Sequence, residues 1–128
     1  MDRIETRETI ATACRLLAFL GLVRETTGHV SARVDSEHML IRCRGSDEAG
    51  LAFTRPEAVQ LVRCDGAGMS RSAGFETPSE LPIHGEMYLA RPEVGAVVHA
   101  HPVNIEVYVS SVNPRVHGAA ERLRRRLE

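Results

Sequence analysis

Apolar residues at Ile10, Ala13, Leu16, Leu17 and Leu20 recur at spacings of three and four, which predicts an amphipathic helix from about Arg3 to Leu20 with one buried face. Gly21 suits its C-terminal cap. After Thr26-Thr27-Gly28 the period changes to two: Val30, Ala32 and Val34 alternate with Ser31 and Arg33, the pattern of a half-buried strand. Asp35-Ser36 turns the chain into Met39-Leu40-Ile41-Arg42-Cys43, and the two runs read as an antiparallel hairpin. Thr54, with Glu57 three residues on, matches a capping box for a short helix that carries Pro56 in its first turn. Leu61 to Cys64 is a short strand, and Asp65 to Thr77, rich in glycine and serine, is a flexible or site-forming loop. A helix that starts at Pro78-Ser79-Glu80 ends at Ala90 or Arg91, because the residue before Pro92 disfavours helix. Val94 to His101 is the most apolar strand, and a last, arginine-rich helical stretch follows it. This order describes α+β or three-layer α/β architecture around a mostly antiparallel sheet.

At 128 residues, 43% of them hydrophobic and 26% charged, the chain is expected to form one ordinary globular domain. All 16 basic residues are arginine. Without a lysine amine there is no Schiff base to a carbonyl substrate or pyridoxal phosphate, and no phosphate-loop lysine. Asp and Glu number 17, so the charge is near balance and a nucleic-acid partner is not expected. The one dense basic run, Arg122 with Arg124 to Arg126, reads as a solvated helix face or tail. Cys14, Cys43 and Cys64 are odd in number and widely spaced, which suits buried thiols in a reducing compartment. The charged N-terminus lacks an apolar signal core and no stretch approaches the ~20 apolar residues of a membrane span. The expectation is a cytoplasmic protein with no membrane partner.

Two features carry chemistry. In Val97-Val98-His99-Ala100-His101-Pro102, histidines at i and i+2 of a strand point to one side and can ligate one metal ion; a pair merely placed on a polar sheet face is the competing reading. Glu80 opens the preceding helix, where an acidic residue also simply favours the helix dipole. His84 is four residues on, on the same helical face, in reach of a hydrogen bond to Glu80.

Together, Gly28-His29-Val30-Ser31-Ala32-Arg33, Ser79-Glu80-Leu81-Pro82-Ile83-His84 with Tyr88 and Arg91-Pro92-Glu93-Val94, and Ala96-Val97-Val98-His99-Ala100-His101-Pro102 resemble the class II aldolase/adducin family, over roughly Thr6 to Ser110. The resemblance implies a three-layer α/β/α sandwich with a mainly antiparallel central sheet. It also implies His99 and His101 as two of three histidine ligands of a divalent metal, zinc above all, and Glu80 as the acid/base carboxylate. His29, Ser31, Arg42, Arg44 and Ser79 are the substrate-binding candidates. Metal-dependent lyases of this kind stabilise a carbanion by Lewis-acid charge and so need no lysine, and the Glu80 pKa is expected to be shifted toward neutrality by burial and offset by the nearby metal. The partners implied are a hydroxy-carbonyl or hydroxy-aromatic acid substrate and further copies of the chain, tetramers being common in the family.

The sequence also departs from the family pattern. Sugar-phosphate aldolases of the family carry asparagine where His29 stands, and a phosphate-binding Thr-Pro-Ser/Thr-Gly-like turn where this chain has Arg42-Cys43-Arg44-Gly45-Ser46-Asp47-Glu48. Asp47 and Glu48 repel a phosphate dianion, whereas Arg42 or Arg44 can hold a carboxylate bidentately. The run from Gly21 to Gly45 is more similar to decarboxylases of hydroxylated aromatic acids such as dihydroxyphthalate. The resemblance covers an incomplete domain, residues 1–112, short at its C-terminal end, before an arginine-rich tail at 113–128. The third metal histidine of the family belongs to a later segment, and His117 is the only later histidine here. The expected function is a carbon–carbon lyase, aldolase or decarboxylase, set against a non-catalytic adducin-like interaction module or inactive remnant.

Overall fold

The computed structural model describes residues 3–67, 71–72 and 74–104. The expected tail at 113–128, its helix and His117 lie outside them. Helix α1 spans Arg3–Phe19. Its end is a Schellman cap, with the Leu22 amide on the Leu17 carbonyl (2.9 Å), the Gly21 amide on the Ala18 carbonyl (3.1 Å) and Gly21 at φ 69°. The buried stripe is Ile10, Ala11 and Cys14, flanked by Ala13, Leu17 and Ala18. Leu16 and Leu20, expected inside, stand more than half exposed beside Phe19. The stripe is thus rotated from the expected one: small Ala11 and Cys14 let the helix sit close to the sheet, a preference that counting large apolar residues cannot reveal.

The hairpin forms as predicted, from β1 (His29–Arg33) and β2 (His38–Arg42), with Ser31 opposite Ile41 and Arg33 opposite Met39. Asp35 makes its turn: one carboxylate oxygen accepts from the amides of Glu37 and His38, each at 2.8 Å. Two single-turn 3-10 helices, Leu51–Phe53 and Pro56–Ala58, lead into β3 (Val59–Arg63). The capping box does not form. Thr54 Oγ1 donates back to the Leu51 carbonyl at 2.9 Å, and Arg55 is the residue before the Pro56 turn. The loop after β3 contains a short ribbon, β4 (Arg71–Ser72) with β5 (Phe75–Glu76). Helix α2 spans Leu81–Ala90 and β6 spans Ala96–His99.

The main sheet runs β3-β2-β1-β6, and its three pairings are antiparallel. Val30, Leu40 and Val59 face α1, in a core with Ile10, Cys14, Val23 and Leu51. Met39, Ile41, Cys43 and Val62 face the other way, against Leu81 and Tyr88 of α2. A sheet covered on both faces by helices is the expected three-layer sandwich. Because β1 is central, Ser31 is fully buried and Arg33 half-buried under α2, although alternation suggested an open polar face. Strand β6, expected to be buried, pairs only with β1 among the described residues, and Val98 is 56% exposed.

Two glycines set distances that matter to the site. At Gly28 (φ 81°) a Cβ would lie 2.9 Å from the His99 carbonyl oxygen and 2.4 Å from Val23 Cγ1. At Gly85 it would lie 2.0 Å from the Cys64 carbonyl oxygen, so α2 rests directly on the backbone that follows β3. The three cysteines are free and buried, as expected. No helix among the described residues is long and apolar enough to cross a membrane.

Candidate active site

Pairing of β1 with β6 puts His29 opposite His99 and Ser31 opposite Val97, so these side chains share the face covered by α2. His29 and His84 are fully buried, and their rings meet edge to face with centroids 6.4 Å apart. Glu80 is the residue before the first turn of α2 and brings its carboxylate 3.8 Å from His29 Nδ1, while 29% of its side chain remains exposed. At that separation, and with a neutral imidazole, the contact is neither a hydrogen bond nor an ion pair. Burial drives the His29 pKa down to about 4 against the pull of Glu80, and the positive charges of Arg42 and Arg44 assist. Burial likewise holds His84 at about 4.

Glu80 departs from its expected titration. Burial pushes its carboxyl up, but the backbone amide of Glu80, the Ser79 hydroxyl (3.0 Å), coupling to the titration of His29 and the charge of Arg44 outweigh it. The group ends below the usual carboxylate value, and is therefore ionised at neutral pH. Nor does His84 bond to Glu80. Its Nδ1 lies 2.7 Å from Ser31 Oγ, whose other partner is the Tyr88 hydroxyl at 2.8 Å.

The end of β6 brings His99 and His101 together, ring centroids 4.7 Å apart and both partly exposed. Their donor chemistry suits a divalent metal, and His99 Nδ1 is buried without a partner among the described residues. The pair fits two positions of a metal site. Among the described residues no group of three His, Cys, Asp or Glu side chains stands close enough to hold a metal.

The arginine candidates separate. Arg42, opposite Val59, lies on the α1 face, almost fully buried and ion-paired with Glu48. Its neighbourhood is a cavity of about 350 Å³ lined also by Phe53, Arg55 and Phe75, away from the histidines. Arg44 bridges to the Glu76 backbone, and its charge reaches both His29 and Glu80. Of the residues singled out from sequence, His29, Ser31, Ser79, Glu80, His99 and His101 collect on one face, Arg44 acts on it, and Arg42 does not share it.

Sequence reasoning missed Arg33. Its guanidinium donates to the carbonyls of Val94 (2.8 Å), Tyr88 (2.7 Å) and Arg91 (3.0 Å), and lies 4.8 Å above the Tyr88 ring. A cation at the carbonyl end of α2 satisfies groups the helix cannot bond itself. The available signal was the motif Gly28 to Arg33, in which arginine follows two small residues on a strand.

Comparison with known proteins bears on the fold that carries this site. A family profile described as "Class II Aldolase and Adducin N-terminal domain" matches residues 8–123. The 3,4-dihydroxyphthalate decarboxylase of Arthrobacter keyseri is 46% identical over 102 residues, covering 77% of this chain and 41% of that protein. The 5-methylthioribulose-1-phosphate/5-deoxyribulose-1-phosphate aldolase of Escherichia coli O45:K1 is 36% identical over 120 residues, covering 91% and 53%. Among solved structures, L-fuculose-1-phosphate aldolase from Thermus thermophilus superposes with a TM-score of 0.66 at 27% identity, covering 88% of this chain and 53% of that one. The enzyme described in the same words from Glaciozyma antarctica PI12 gives 0.72 at 22% identity, over 88% and 46%. The chain therefore spans about half the length of the relatives it matches.

Proposed function

The chain belongs to the class II aldolase and adducin N-terminal domain family, and from that premise we propose that it is the site-bearing part of a metal-dependent carbon–carbon lyase, acting on a hydroxylated aromatic acid as a decarboxylase. The carrying observation is the convergence of Glu80, His29 and the His99/His101 pair on one sheet face. Similarity to 3,4-dihydroxyphthalate decarboxylases over 77% of the chain supports the substrate class.

His99 and His101 would hold the metal, zinc foremost, and further donors would come from outside the described residues. Bound there, it would supply Lewis-acid charge to offset the negative charge left on carbon. The ionised Glu80 accepts the proton of a substrate hydroxyl. The bond between ring carbon and carboxylate then breaks, carbon dioxide leaves, and its electron pair stays on the ring. Glu80 returns the proton to that carbon, and solvent reprotonates the hydroxyl. Arg44, whose charge already reaches the site, would pair with the retained carboxylate. Ser79 would keep the Glu80 carboxylate aimed. Residues 1–112 form this domain, with 113–128 as a separate tail; homo-oligomers, tetramers in particular, and a reducing cytoplasmic setting suited to three free thiols complete the proposal.

The test is metal analysis of purified full-length chain together with turnover of 3,4-dihydroxyphthalate. Stoichiometric metal that His99→Ala removes, with activity that falls by roughly 100-fold or more in Glu80→Gln, is expected for a lost proton-transfer group. Full activity in Glu80→Gln would end the role assigned to it. A second reading, a non-catalytic interaction module, is favoured by the lack of a third donor among the described residues. Stable oligomers without metal or turnover would select it.

A further inference from the structure

The family motifs contain Ser31 and Tyr88, but the geometry gives them work that substrate contact does not explain. Ser31 is fully buried, and its hydroxyl is engaged on both sides, by His84 Nδ1 at 2.7 Å and the Tyr88 hydroxyl at 2.8 Å. Counting protons fixes the direction of this chain. Tyr88 is 1% exposed, and Ser31 Oγ is the acceptor beside its hydroxyl. The backbone of Val97 also acts on the phenol and lowers its pKa, as a donor does, and no second acceptor for the Tyr88 hydroxyl stands among the described residues. If Ser31 donated to Tyr88, the tyrosine proton would be buried without an acceptor, the costly way to leave a polar group. Tyr88 therefore donates to Ser31, and Ser31, with one proton of its own, donates to His84 Nδ1. The ring proton of His84 is left on Nε2, which is buried and has no partner among the described residues.

We propose that Ser31 and Tyr88 are positioning residues that lock His84 with its proton on Nε2, so that the site is offered a hydrogen-bond donor at that atom and never a metal-binding lone pair. His84 lies edge to face with His29, where the charge of Glu80 reaches it. A neutral donor there suits an anionic oxygen of a bound hydroxy acid, and it keeps His84 from competing with His99 and His101 for the metal. Use of the donor rests on the lyase reading; the position of the proton does not.

Long-range proton–nitrogen NMR of the full chain, with histidine nitrogens labelled, tests this directly. In the unaltered protein His84 should carry its proton on Nε2, and Nδ1 should resonate as a hydrogen-bonded acceptor. Ser31→Ala should move Nδ1 to the position of a free ring nitrogen, and Ser31→Thr should restore it. Tyr88→Phe, which keeps the ring under Arg33, should shift it part of the way. A proton on Nδ1 in the unaltered protein, or an Nδ1 signal indifferent to Ser31→Ala, would overturn the proposal. On titration with zinc alone, His84 should keep its Nε2 proton while His99 and His101 respond; loss of that proton to zinc would also overturn it. If His99 and His101 do not respond, the metal-dependent reading fails by itself, since the wild-type proton position has already decided the role of Ser31 and Tyr88.

Discussion

Gly85→Ala should destabilise this protein, although Ala is the better helix former by about 1 kcal/mol. Gly85 lies inside α2, and the added Cβ would meet the Cys64 carbonyl oxygen at 2.0 Å and its carbon at 3.1 Å. Ordinary contact begins near 3.4 Å, so α2 must withdraw by more than about 1 Å, and the obstacle is backbone rather than a side chain that can swing aside. Such a step costs about 1–3 kcal/mol by itself. It also stretches the contacts of Ser31 with His84 (2.7 Å) and Tyr88 (2.8 Å) beyond hydrogen-bonding range, at about 1 kcal/mol each. Net of the helix-propensity gain, the loss is about 2–4 kcal/mol, or a fall in Tm of roughly 8–16 °C for a domain of this size. Thermal and urea unfolding followed by circular dichroism would measure it, with exposed Glu86→Ala as the reference. A Tm equal to or above that of the parent would refute the close seating of α2 on the strand, and with it the basis for the buried hydroxyl chain.

Arg33→Lys should behave as a severe change, because one ammonium cannot serve three carbonyls and stack on Tyr88; a urea midpoint equivalent to about 1–3 kcal/mol lower is expected, and an unchanged midpoint would contradict the clamp. Cys14 and Cys43, pushed up to about 11 by burial, should resist thiol reagents in the native protein at about pH 8 and react fully after unfolding. Their folded pKa lies above the usual 9.0, so the stability they add is complete below pH 9 and drains away as pH rises toward 11. With no lysine to titrate in that range, urea midpoints between about pH 8 and 11 read this loss with little interference beyond Cys64 and two tyrosines, and a flat profile would count against the buried thiols.

Elements whose apolar residues follow a single period were legible: α1, the hairpin and the end of α2 before Pro92 lie within a residue or two of expectation. The neighbouring placement of His99 and His101 was legible too, since positions i and i+2 of a strand point to one side. The floor of the candidate site was not. Ser31 and Arg33 alternate with apolar neighbours, and alternation reports two unlike faces without saying that water covers the polar one. Here a helix lies on it, and the polar groups find partners in one another. The position of Arg42 was hidden for a related reason, since only the paired structure shows which face it takes and that Glu48 stands there. Thr54 and Glu57 had the spacing of a capping box, while the Pro56 turn proved too short to use it.

The bare α-carbon at Gly28 carries a consequence for recognising this site elsewhere. The strand that ends in His99 passes so close that any side chain at Gly28 would push His99 away from His29. The spacing between the two histidines is thus held by a residue that contributes no functional atom. A relative that kept every histidine and the glutamate but replaced this glycine would preserve the reagents and lose the distance between them, and a comparison scored only on reactive side chains would mistake it for an equal.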